Sequence, residues 1–222
     1  MDLTLKEKFV LLILHPDKGH NMAISFSGYG IAGAMLLELA GMEKLKIEDK
    51  RVKLLDSKKT DDEQLDYLIE ILRRSDKSYK VKSIISKIQG KSSKIRKPLI
   101  EGLVKKRYLK EVEKRFLIFK YKRYPSSNIR YRNELVEHIR RMVLRNIKSD
   151  DDIPLLAGLA GACRLSDKFF RTREERKIAR KRIKEIVKEN DIDQAIDETV
   201  KAVQAAIMVS IATTAVVTST SH

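Results

Sequence analysis

A single cysteine, Cys163, excludes an internal disulfide framework and suits a reducing compartment. Its neighbours Leu159, Ala160 and Ala162 mark it as a buried small residue, not a reactive thiol. The four histidines, His15, His20, His138 and His222, show no metal-ligand spacing, and no serine or cysteine sits in a nucleophile elbow. Neither a metal, a cofactor nor catalytic residues are therefore expected, and the chain does not read as an enzyme. Met1 to Leu14 lacks the basic n-region and cleavage site of a secretory leader and opens on a Thr4-x-x-Glu7 capping box. Long apolar runs are scarce. Ala202 to Val217 falls short of the roughly 20 apolar residues that cross a bilayer. It also holds Gln204, Ser210, Thr213 and Thr214, so it is expected to be a buried helix and not an anchor.

What is present is charge and one enclosed helix. Lys and Arg number 47 against 31 Asp and Glu, a net charge of +16 that attracts polyanions such as anionic lipid, nucleic acid or acidic protein tails. Hydrophobic residues make up 42% of 222, enough for the core of a single domain over 1–222. Gly28 to Leu45 runs GYGIAGAMLLELAGMEKL, in which Ile31, Met35, Leu36, Leu37, Leu39 and Met42 leave a helix with no polar face. Such a helix has to be surrounded by others. Glu38 is its one carboxylate; no titratable partner can be named from the sequence, and a helix-packing or backbone hydrogen-bonding role is expected. Gly30 and Gly33 match part of a phosphate loop, but the rest of a nucleotide fingerprint is missing, so close helix packing explains them better.

The remaining chain reads as helices interrupted by two strand pairs. Thr4 to Leu14 is a helix stopped at Pro16, Gly30 to Glu43 is the enclosed helix, and Leu45 to Glu48 with Arg51 to Leu55 form a hairpin round Asp49-Lys50. Leu65, Leu68, Ile69 and Leu72 mark an amphipathic helix; Val81, Ile84, Ile85 and Ile88 mark another, ended by Gly90. Ser92 or Ser93 then caps a helix with Ile95, Leu99 and Leu103 inward and Lys94, Arg96, Lys97, Lys105 and Lys106 outward. Tyr108 to Tyr124 reads as a second hairpin turning near Glu113-Lys114, with Phe116, Leu117, Ile118, Phe119 and Tyr121 on its second strand. Leu135, Ile139, Met142, Val143 and Ile147 stripe a further helix, and Asp152-Pro154 opens a second enclosed one, LLAGLAGACRL. From Thr172 to Lys188 the stripe Ala179, Ile183, Ile186 and Val187 faces inward, and the opposite basic run is a solvated face. The fold class is mainly α: a single-domain helical bundle around enclosed central helices, with two short β-hairpins.

Several of these stretches stand in a known order. LTLKEKFVLLIL, GIAGAMLLELAG, VKSIISKIQG, IRKPLIEGLVKKRYL and the FLIF strand followed by Tyr124-Pro125 resemble the Golgi phosphoprotein 3 family of peripheral membrane proteins, over about residues 3–217, with 218–222 a disordered tail. The resemblance implies a non-enzymatic lipid-binding adaptor: a helical bundle, a hairpin used for self-association and membrane contact, and a cationic pocket for phosphatidylinositol 4-phosphate. It also implies protein clients and, in a eukaryote, the cytosolic face of the Golgi, where the family retains glycosyltransferases through their cytosolic tails. Eukaryotic members place a tryptophan and an arginine round the GIAG block, where this chain has Ala23 and Ala32. Of two arginines one turn apart on the capping helix, the matches are Ser93 and Arg96, so only Arg96 carries over. Lys91, Lys94 and Lys97 could serve as point charges, favouring anionic membranes in general over one inositide. The expected headgroup residues are thus Arg96, Lys94, Lys97, Lys91 and Ser93, and the expected membrane or homo-oligomer contact is Phe116, Leu117, Ile118 and Phe119. The chain reads as a divergent member, bacterial in one reading, and a cytoplasmic, peripherally membrane-associated protein.

Two rivals stay open. A basic helix from Ser93 to Arg107, followed by a hairpin bearing Arg115, Lys120, Lys122 and Arg123, is the order of a winged-helix nucleic-acid reader, although the apolar FLIF suits phosphates poorly and ranks nucleic acid below lipid. A protein-only scaffold is the other.

Overall fold

The structure is a computed structural model that describes residues 3–74, 78–147, 152–189 and 198–205. Its first helix, α1 (Leu5–Ile13), is held at the start by the expected capping box: the Thr4 amide donates to Glu7 Oε2 at 3.1 Å and the Glu7 amide to Thr4 Oγ1 at 3.5 Å. All nine residues of α1 are buried, Lys6, Glu7 and Lys8 included. This is a third enclosed helix, hidden in the sequence by its charges. Next comes α2 (Ser27–Gly41), against which α1 and the later helices Val81–Gln89, Ser92–Lys105 and Ile153–Ala162 all pack. It starts at Ser27, one turn before the expected Gly30, and Met42 lies beyond it with half its surface exposed, outside the enclosed set.

Enclosure is possible because the helix backbones approach closely. A Cβ on Gly30 would stand 2.1 Å from Phe9 Cζ and 2.8 Å from Cys163 Sγ, and one on Gly33 2.7 Å from Leu159 Cδ2. The two glycines are packing residues. Cys163 is buried, its Sγ donating to the Phe26 carbonyl at 3.4 Å, and burial pushes the thiol far above its ordinary range.

Strands β1 (Leu45–Glu48) and β2 (Arg51–Leu54) turn at Asp49 and Lys50, both at positive φ (52° and 60°), the geometry of a tight two-residue hairpin. A short β3 (Tyr79–Lys80) pairs with β2 and makes this sheet three-stranded, which two residues cannot announce in a sequence. Between them lies α3 (Glu63–Arg73), capped by Asp62, whose side chain accepts from the amides of Gln64 and Leu65. Helix α4 (Val81–Gln89) ends at Gly90, and α5 (Ser92–Lys105) follows at once; its N-cap is Lys91, so neither Ser92 nor Ser93 caps it, there being too little chain between the helices for a separate cap.

The second hairpin, β4 (Val112–Phe116) and β5 (Phe119–Arg123), turns at Leu117-Ile118 and not near Glu113-Lys114. Phe116 therefore ends the first strand and pairs with Phe119 on the second. The charged pair resembles a turn, but it is paired: Glu113 lies opposite Lys122 and Lys114 opposite Tyr121. Leu117 takes φ 54°, a left-handed conformation that costs a side-chain-bearing residue about 1 kcal/mol. Helix α6 (Ile129–Arg145) is ended by Asn146 at φ 55°, which carries Ile147 off the expected stripe to half exposure. The apolar α7 (Ile153–Ala162), the short α8 (Ser166–Phe169) and α9 (Arg173–Glu189) complete the bundle, with Ala179, Ile183 and Ile186 facing inward. Residues 198–205 are helical and bury Val200 and Val203; the rest of the Ala202 to Val217 run, and the side chain of Val187, lie outside the described residues. Among the described residues no helix is long and apolar enough to cross a membrane.

Candidate anion-binding face and hairpin arm

The start of α2 meets the α4–α5 turn at very close range. A Cβ on Gly28 would lie 2.6 Å from Ser92 Cβ, so only glycine lets the two backbones approach. This contact brings Arg96, half-buried on α5, over Ser27 on α2: Arg96 Nη1 donates to Ser27 Oγ at 3.2 Å. Asn21 Nδ2 donates to the same hydroxyl at 3.0 Å, while Asn21 Oδ1 accepts from the Ala23 amide at 2.8 Å. The loop before α2 is thus tied to the helix that carries the arginine. One of the five guanidinium N–H groups is held in place by Ser27, and no carboxylate pairs with Arg96 among the described residues.

The other expected headgroup residues are not all brought together. Ser93 lies one turn before Arg96 on the same face, and Lys97 is the next residue round, exposed and 3.9 Å from Glu101 on its own helix. Lys91 is exposed at the helix start. Lys94 is exposed on the far side, about 200° round the helix from Arg96. Ala23 is buried beside Asn21, and Ala32 is wholly buried one turn after Gly28, so neither lines an open wall. Sequence reasoning missed Asn21 and Ser27 as the groups that orient Arg96; the available signal was the Asn21-x-Ala23 spacing of an Asx turn.

The hairpin stands away from the body. Apart from half-buried Val112 and Arg123, every strand residue is exposed, and the tip residues Phe116, Leu117, Ile118 and Phe119 are 67, 76, 78 and 66% exposed. Lys114, Arg115, Lys120 and Lys122 lie along the arm behind them. Together they form an apolar patch that the described residues leave largely uncovered.

At the other end of α2 the structure supplies the partner that Glu38 lacked in the sequence. Lys6 Nζ lies 2.6 Å from Glu38 Oε2 and 2.7 Å from Asp62 Oδ2, and the Lys6 amide donates to Glu38 Oε1 at 2.7 Å. The backbone hydrogen-bonding role holds, and a buried ion triad is added to it. Burial draws Lys6 down, but the two carboxylates more than offset this and hold it above the ordinary lysine value; burial also pushes Glu38 up, against the pull of Lys6. On α9, Arg180 Nη2 donates to both Asp167 oxygens at 3.0 Å, and Arg176 donates to the Phe170 carbonyl at 3.0 Å, local ties that fit a solvated basic face. No group of three or more metal-ligating side chains gathers among the described residues.

Enclosed helices, a three-stranded sheet and a projecting two-stranded arm define the class: a mainly helical domain whose distinctive surfaces are a basic helix face and an apolar hairpin tip. The chain belongs to the Golgi phosphoprotein 3 (GPP34) family, whose model matches residues 5–207. It is similar to the vacuolar protein sorting-associated protein 74 of Schizosaccharomyces pombe, 27% identical over 177 residues that make up 68% of this chain and 51% of that protein. A VPS74-like protein of Dictyostelium discoideum is 29% identical over 137 residues, 54% of this chain and 52% of the relative. The chain thus spans about half the length of the curated relatives it matches.

Proposed function

We propose that the protein is a non-enzymatic peripheral membrane adaptor that binds anionic phospholipid headgroups through the Arg96 face and presents the hairpin tip to the bilayer or to a second copy. The exposed tip from Phe116 to Phe119 carries this reading, because four uncovered apolar side chains backed by lysines and arginines match a membrane interface, where apolar groups enter and cations remain with the headgroups. Membership of a family named for a Golgi phosphoprotein supports it. In a eukaryotic cell the protein then works on the cytosolic face of that organelle, with membrane-protein tails as clients. Headgroup recognition rests on Arg96, with Ser93, Lys97 and Lys91 near it and Lys94 contributing only general charge. With alanines at positions 23 and 32, selectivity for the 4-phosphate over other anionic lipids is weak.

Cosedimentation with phosphatidylglycerol vesicles tests the proposal. Binding is salt-sensitive, and changing Arg96, Lys94 and Lys97 together to Ser weakens it by about tenfold or more, at on the order of 1 kcal/mol per basic group near the surface. Arg96→Ser alone has a larger effect than Lys94→Ser. Undiminished binding in the triple variant would move the headgroup site elsewhere, and stronger retention of duplex DNA than of vesicles at matched salt would favour the nucleic-acid reading.

A further inference from the structure

A cavity of about 510 Å³ lies at the root of the hairpin, its lining including Asp17, Lys18, His20, Lys110, Lys114 and Arg123 but not Arg96. We propose that it is a second anion site, one that takes a phosphomonoester carried on a larger polar molecule. None of its lining residues belongs to the Arg96 face.

The cavity is built by an interlocked backbone. Gly19 sits at φ 62° against the Tyr124–Pro125 backbone, where a Cβ would come within 2.3 Å of both backbone nitrogens. The Tyr124 amide donates to the Gly19 carbonyl at 3.0 Å, the Ser126 amide to Pro16 at 2.8 Å and the Lys110 amide to Pro125 at 3.0 Å. His15 Nδ1 accepts from the amides of Asp17 and Lys18, both at 3.2 Å, and its ring stacks on His20 at 5.1 Å. The walls are therefore set before any ligand arrives.

Its charge is one-sided. Lys18, Lys110, Lys114 and Arg123 enter from the turn, the lead-in segment and both strands, and Arg123 is braced over the Tyr121 ring at 4.8 Å. The acids near the arm are engaged elsewhere: Glu111 with Lys122 at 2.8 Å and Glu113 with Lys120 at 3.1 Å. Asp17 is the one carboxylate in the lining, and its field also supports Arg132, a buried guanidinium on α6 whose Nε has no hydrogen-bond partner. Burial and then the charges of His15, Arg123, Lys18 and Lys168 hold His20 below the ordinary histidine range. Four cations and a depressed imidazole around one shared acid form a field that an anion would relieve. The volume exceeds what a bare phosphate fills and lies within the range of small-molecule sites.

The test follows the His20 imidazole by NMR while the full chain is titrated with inositol monophosphate, with inorganic phosphate, or with phosphatidic acid in phosphatidylcholine vesicles. A saturable shift that raises the His20 pKa supports the site; a response to the soluble compounds identifies a free phosphomonoester, and a response confined to the vesicles identifies a lipid headgroup. Lys110→Ser with Arg123→Ser weakens the response by about tenfold or more, whereas Arg96→Ser leaves the response to the soluble compounds intact. If the double variant melts early, Lys18→Ser with Lys114→Ser, both exposed, replaces it and gives the same loss. An unmoved His20 with all three probes, or a response that survives in both double variants, overturns the proposal.

Discussion

The two ends of α2 treat charge in opposite ways. Near its C-terminal end, Glu38, Lys6 and Asp62 form a closed triad, and Lys8–Asp152 (2.9 Å), Lys106–Glu7 (2.7 Å) and Lys44–Asp56 (2.8 Å) surround it. At its N-terminal end, Arg96 leans on a serine hydroxyl and pairs with no acid among the described residues. Buried charge must be paired or it unfolds the domain, whereas a cation at the rim can stay open because water solvates it until an anion arrives. The first arrangement maintains the fold, and the second is free to recognise something. The apolar residues divide similarly: Phe9 and Met35 are wholly buried, while Phe116 and Phe119 are about two-thirds exposed.

The largest test of this contrast is at the triad. Lys6→Met leaves Glu38 buried without its cation and should lower stability in urea unfolding by about 3–5 kcal/mol, while Lys6→Met combined with Glu38→Leu should recover much of the loss. A loss below about 1 kcal/mol would mean that the pair is dispensable and the contrast false. The sign with pH follows from Lys6 being held above 10.5: its contribution is complete below that value and disappears as the pH rises through the folded-state pKa.

Packing comes next. Gly30→Ala drives a methyl into Phe9 and Cys163, both fully enclosed, and should cost about 1–3 kcal/mol. Gly41→Ala, at the open end of the same helix with nothing within 4 Å, should be neutral or stabilising by up to about 1 kcal/mol. Equal effects from the two would show that α2 is not enclosed as described.

A smaller effect lies on the α6–α9 contact. Glu175 accepts from Arg140 at 2.9 and 3.1 Å and from the Arg171 amide at 2.6 Å, and these donors pull its carboxyl down to about 2. Because the folded value lies below the ordinary one, its contribution is present above about pH 4.5 and is lost as the pH falls toward 2. Arg140→Gln should return the Glu175 carboxyl, followed by NMR, toward the ordinary range; an unchanged midpoint would assign the shift to the backbone donor.

The smallest effect on stability is expected at the hairpin tip. Phe116→Asp with Phe119→Asp should change the unfolding free energy by no more than about 0.5 kcal/mol, since neither ring is buried in the chain. The same variant should bind vesicles more weakly or scatter light as smaller particles. A large loss of stability would place the tip in the core, and unchanged binding and size would remove its role as a contact.

The helices were legible because their signals are local: a capping box within four residues at Thr4, a missing polar face across α2 and α7, a two-residue turn at Asp49-Lys50. α1 was legible as a helix but not as an enclosed one, since Lys6, Glu7 and Lys8 look like a solvated face until their partners are known. The second hairpin's turn was misplaced for the converse reason, an apolar Leu117-Ile118 turn carrying no glycine, asparagine or aspartate to announce it. Of the candidate headgroup residues, membership of one basic helix was readable, but which of them point the same way required knowing which face of α5 is covered.

The mainly helical class, the central helix, the family and the net positive charge can all be read along the chain, because periodicity, composition and motif order are properties of neighbouring residues. Tertiary structure alone decided that Lys6 meets Glu38 across 32 residues and that Arg96 meets Ser27 across 69. It also gathered Lys18, Lys110 and Arg123 round one cavity. A charge pair forms wherever two surfaces happen to close on each other, and no local pattern records which distant group waits on the other side.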